Sequence, residues 1–135
     1  VNVNNQLFSH RNQMMQHQQI IKTLETKVAT DEETLVTETN KKESTIKSNE
    51  ELNSKLNQLN EEFASIENDS NLTADEKSKK SAKIKKEISS TQSKINLNSK
   101  KIEISTKKIE TLEKRIESSK KELEEKKKKE EEKKK

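Results

Sequence analysis

His10, Met14 and His17 recur at helical spacing, two imidazoles and a thioether on one face. Those are donor types that copper or zinc accepts. Two histidines a full two turns apart, with no carboxylate or thiolate beside them, make a poor coordination shell. His10 and His17 continue one seven-residue row of seam positions and Met14 the other, so all three read as seam filler. No metal and no cofactor is expected. The chain has no cysteine, which removes disulfides and thiolate sites alike.

Two further patterns carry chemistry. Asn68-Asp69-Ser70 and Asn71-Leu72-Thr73 both match the acceptor for an N-linked glycan. Asn, Asp and Ser also fill turns for their own backbone reasons, and a turn is the reading preferred here. The lysine-rich second half could attract nucleic acid or an anionic membrane. Its lysines alternate with glutamates, and Phe8 and Phe63 are the only aromatic residues, so bases would find nothing to stack on. The amphipathic face is too thin for membrane insertion. A weak polyanion or membrane-surface binder is therefore only the third reading.

Catalysis is not expected. With no glycine there is no Gly-rich phosphate loop, and with no cysteine no thiol nucleophile. Surface Ser and Glu are abundant, but two helices offer nothing to desolvate or preorganise them. No small-molecule substrate is expected either.

The elements behind these residues are long helices. The chain of 135 residues has neither glycine nor proline, and isoleucine or leucine stands at 88, 95, 102, 109, 116 and 123. Seven-residue spacing gives a stripe too narrow for a globular core, which must meet another helix. Hydrophobic residues are only 24 % of the chain and charged residues 40 %, a composition that would otherwise suggest disorder. The heptad regularity argues against that, because a rod buries only its seam. No run of 18 apolar residues is present, and Val1–Gln6 does not read as a signal peptide, so a soluble protein of unassigned compartment is expected.

The first arm has its own rows, Leu7, Met14, Ile21, Val28, Leu35 and Leu56 in one, Leu24, Leu52, Leu59 and Ile66 in the other. The pattern stops at residues 68–72. Thr73-Ala74-Asp75-Glu76 then reads as a capping box that starts a second helix, with Asn68, Ser70, Asn71, Thr73 and Glu76 forming the turn and its cap. The expected organisation is a short extension over 1–6, an acidic helix over 7–67, a turn over 68–72 and a basic helix over 73–135.

Residues 1–67 hold 7 Lys+Arg against 11 Asp+Glu, whereas residues 68–135 hold 22 against 14. Opposite net charge suggests that the halves lie against each other. Folding the chain back at Ser70 pairs Leu56 with Ile84, Leu52 with Ile88, Val28 with Leu112 and Leu24 with Ile116. Asn49 then faces Thr91, and Asn5 faces Lys135. Asp31 and Glu38 fall opposite Ile109 and Ile102 as mismatches, making the middle the loosest part. The fold class expected is all-α, a long antiparallel two-helix coiled-coil hairpin with arms of roughly 90 Å at 1.5 Å per residue. A parallel homodimer would stack Thr91, Asn98, Ser105 and Ser119 on themselves, a row that parallel zippers fill with leucine.

Outside the seam, Met15, Val36 and Ile46 mark one flank of the first arm, with Phe8 and Ala29 in register. Leu97 and Ile104 mark the opposite flank of the second arm. Such stripes would let hairpins pack side by side in a contact that propagates. The expected function is a structural or assembly protein, self-associating or serving as a subunit of a larger complex. The alternative is an adaptor or stalk, resembling in outline alone the hairpin chaperones and secretion-apparatus stalks, that works on another protein through its turn or ends.

Overall fold

The computed structural model describes residues 2–134, with side chains over 3–132. It is an all-α antiparallel hairpin of α1 (Asn2–Glu67) and α2 (Ala74–Lys134). Nothing in Asn2–Gln6 opposes a helix, and α1 includes these residues of the expected extension, Val1 lying outside the described residues.

The connection over 68–73 is built from local polar groups. The Asn68 amide bonds the Ala64 carbonyl at 3.1 Å, the last α-type bond of α1. The Asp69 carboxylate then accepts from the Asn71 amide at 2.9 Å, an Asx turn that reverses the chain. Thr73 Oγ1 accepts the Glu76 amide at 3.2 Å, and the Thr73 carbonyl accepts the Lys77 amide, so Thr73 is the N-cap of α2. The return bond of a full capping box, from Glu76 to the Thr73 amide, is not formed among the described residues. No described residue has a positive φ, which is how the reversal is made without glycine.

The chain forms two compact units, a turn unit over Thr39–Lys107 and a terminal unit of Val1–Glu38 with Lys108–Lys135. In the turn unit, Leu59, Ile84 and Ile95 are buried, with Leu52, Leu56, Phe63 and Ile88 half-buried. Burying each of Leu59, Ile84 and Ile95 contributes about 1.5–3 kcal/mol, and the half-buried side chains contribute less. The deepest side chains here are small hydroxyls: Thr91 is 3 % exposed, and Ser81 and Ser105 are also buried. Small residues in one row of α2 leave room for the bulkier row of α1.

In the terminal unit, Ile21, Leu24 and Val28 of α1 are buried together with Leu112 and Ile116 of α2. Ser119 and Asp31 are buried among them. Towards the N-terminus, Met14 and His17 are half-buried, while Leu7 and His10 are exposed despite standing in the seam rows.

Cross-helix bonds fix the register, and it differs from the expected one. Ser81 Oγ donates to the Glu67 carboxylate at 2.8 Å, and Lys85 lies 5.5 Å from the Phe63 ring centroid, a cation–π arrangement. Asn49 does not face Thr91; its amide reaches Ser99, eight residues further along α2. In the terminal unit Arg115, not Ile109, meets Asp31. These partners set the helices one heptad from the fold-back at Ser70.

The cause lies at the turn. Glu67 ends α1 at the level of Ser81, so the first two turns of α2 reach past the end of α1. Lys77 donates from Nζ to the Glu67 carbonyl at 3.2 Å, placing a cation at the negative end of the α1 dipole. A seven-residue slip keeps the same faces together, so the rows survive while the pairings within them change. Leu59 comes level with Ile88 rather than Leu52, and Leu52 with Ile95. The expected juxtaposition of Asn5 with Lys135 lies outside the described residues.

Candidate interaction surface

The flanks of the hairpin carry its most exposed apolar side chains. In the terminal unit, Met15 and Val36 are 66 % and 59 % exposed on one heptad position of α1. In the turn unit, Leu97 and Ile104 are 54 % and 56 % exposed on one heptad position of α2. Ile46 differs from the other four flank residues: it is half-buried, because its position borders the seam. Phe8, Val3, Leu7 and, less strongly, Ile20 are exposed as well. Val3 and Ile20 were not singled out in the sequence, since neither falls on the flank row.

Charge organises the flanks of the terminal unit. Lys120 Nζ lies 3.0 Å from Glu32, and Lys127 Nζ lies 3.5 Å from Glu25, each pair joining α2 to α1. Both pairs are about half exposed, so each contributes little, about 0.2–1 kcal/mol. Deeper in, Arg115 reaches Asp31 Oδ1 at 3.1 Å. Asp31 is 6 % exposed, and its second oxygen is buried without a partner. The position expected as a mismatch therefore carries an ion pair between the buried Asp31 and the half-exposed Arg115, made possible by the heptad shift.

The histidine face is used internally. His17 donates from Nε2 to the Lys126 carbonyl at 2.9 Å, which holds one ring nitrogen against α2. Among the described residues no group of three or more His, Cys, Asp or Glu is placed to hold a metal ion. Around the turn, Asn68, Ser70, Asn71, Thr73 and Glu76 are exposed, while Leu72 and Asp69 are half-buried.

The described residues also line open grooves. One of about 350 Å³ in the turn unit lies between Lys55 of α1 and Lys83, Lys86, Glu87, Ser90, Thr91 and Lys94 of α2. A second, beside the turn, runs along Glu67, Lys77, Ser78, Ser81 and Lys85. No helix of the described residues is long and apolar enough to cross a membrane.

What the arrangement offers chemically is surface: helix flanks with isolated apolar side chains set among charges. No protein-family model, no curated protein and no solved structure matches this chain.

Proposed function

We propose that this chain is a non-enzymatic structural protein, a coiled-coil hairpin that associates laterally with further copies or serves as a subunit of a larger complex. The observation that carries this reading is the placement of exposed apolar residues at fixed heptad positions, Met15 and Val36 on α1, Leu97 and Ile104 on α2. Each sits in a different charge setting. Glu32 and Glu33 lie one turn from Val36 in the terminal unit, and Lys94, Lys100 and Lys101 lie one turn from Leu97 or Ile104 in the turn unit. The acidic surroundings of Val36 and the basic surroundings of Leu97 and Ile104 are complementary between two copies, and such a contact is heterologous and open-ended.

The test is sedimentation velocity over a concentration series. Val36→Glu and Ile104→Glu together should lower the sedimentation coefficient of the parent protein at high concentration. An unchanged profile would reject lateral assembly through these stripes.

An adaptor role is favoured by one feature, the turn. Its exposed Asn68, Ser70 and Asn71 ride on a backbone tied by Asp69 and Thr73, a preformed polar tip suited to contacting another protein.

A further inference from the structure

Lysines of both helices converge on one groove of the turn unit. Lys55 of α1 faces it from one side, Lys83, Lys86 and Lys94 of α2 from the other, with Glu87 the single acid in the lining. Among the described residues, none of these four lysines forms an ion pair. That is unlike the terminal unit, where Lys120 and Lys127 each find a glutamate of α1.

The convergence follows from the register. Lys55 stands immediately before Leu56 in its heptad, and Lys94 immediately before Ile95, so both occupy the same flanking position beside the seam. The helices, set by Asn49 on Ser99 and Lys85 on Phe63, bring these flanks to one level. Like charges brought together oppose folding by their mutual repulsion, and an anion placed between them removes that cost. Ser90 adds a hydroxyl to the lining, and Thr91 closes the groove floor, 3 % exposed.

We propose that this groove binds a compact, multivalent oxyanion, a ligand carrying two or more phosphate or sulfate groups. The four lysines of the lining match a ligand that carries several negative charges at once. The α2 lining runs from Lys83 to Lys94, about 16 Å at 1.5 Å per residue, a span suited to a small ligand. A nucleic acid is the poorer fit, because the groove presents no aromatic face for a base. The groove shares Lys94 with the flank of Leu97, but its lining includes none of the four apolar flank residues.

The experiment is calorimetric titration of the full chain with sodium tripolyphosphate at physiological ionic strength, with inorganic phosphate as comparison. Saturable binding at one ligand per chain is expected, with inorganic phosphate much weaker. Lys55→Glu should weaken binding about tenfold or more, and Lys55→Gln by less, on the scale of one charge-assisted contact. Lys47→Glu makes the same change in net charge on the same helix, outside the groove, and should leave the affinity within about twofold. Circular dichroism verifies that each variant remains helical. Equal weakening by Lys47→Glu and Lys55→Glu, or binding without saturation, would overturn the site in favour of diffuse attraction by net charge. So would a single-stranded oligonucleotide that displaces tripolyphosphate and ignores Lys55→Glu, since that assigns binding to the whole basic arm.

Discussion

In the terminal unit, Glu25, Asp31 and Glu32 of α1 are each met by a cation of α2; in the turn unit, Lys55 of α1 shares an open groove with Lys83, Lys86 and Lys94. The same two helices thus use charge in two ways. Where acid faces base, ion pairs flank the seam, and one of them holds the buried Asp31 carboxylate. Where base faces base, cohesion comes from Leu59, Ile84, Ile95 and a set of neutral or singly charged bonds, Asn49 to Ser99 and Ser81 to Glu67 among them. The opposite net charge of the two halves is therefore not a uniform glue. It is concentrated in the terminal unit, and it leaves a positive flank near the turn.

The largest break in this comparison is at the pair of Asp31 with Arg115. Arg115→Ala should destabilise the protein by about 2 kcal/mol in chemical denaturation, since it strands the Asp31 carboxylate inside the seam. Asp31→Leu should be neutral or stabilising at the same site, because a leucine there extends the rows of Leu24 and Val28. If Arg115→Ala were as mild as a surface substitution, the pair would be solvated and the comparison lost.

A smaller effect sharpens the contrast without any mutation. Raising sodium chloride from low concentration to 1 M shortens the screening length to about 3 Å. The Lys120–Glu32 and Lys127–Glu25 pairs then weaken, each by about 0.5 kcal/mol at most. The repulsion around Lys55 weakens too, which favours the turn unit. Amide hydrogen exchange should report lower protection at Ile21–Val28 and unchanged or higher protection at Leu52–Leu59. Parallel losses in both stretches would mean that charge acts alike throughout.

Much of the architecture was legible in the residues. The rows through Leu24, Val28, Ile84, Leu112 and Ile116 mark the buried faces, because a heptad repeat tells which side of a helix must be covered. The turn was legible for a different reason: Asn, Asp, Ser and Thr at 68–73 supply acceptors for the amides of a chain reversal. The pairing within the seam was not legible. A repeat is unchanged by a shift of seven, so Leu52 can face Ile88 or Ile95 with equal logic, and only the turn decides. Lys77 on the Glu67 carbonyl is a choice made in three dimensions, with no signature in the pattern. Everything that depends on register was hidden with it. Asp31 looked like a mismatch until Arg115 came level with it, and the Lys55 groove had no counterpart in the sequence.

Because the chain has no native cysteine, introduced cysteines report the register directly. The decisive measurement compares two double variants under mild oxidation, Asn49→Cys with Ser99→Cys against Asn49→Cys with Thr91→Cys. The two partner positions lie about 12 Å apart along α2, well beyond the reach of one disulfide. Rapid intramolecular crosslinking of the first variant and slow or absent crosslinking of the second is the predicted result. The reverse, with Thr91→Cys closing and Ser99→Cys remaining open, would contradict the register on which the Asp31–Arg115 pair and the lysine groove both depend.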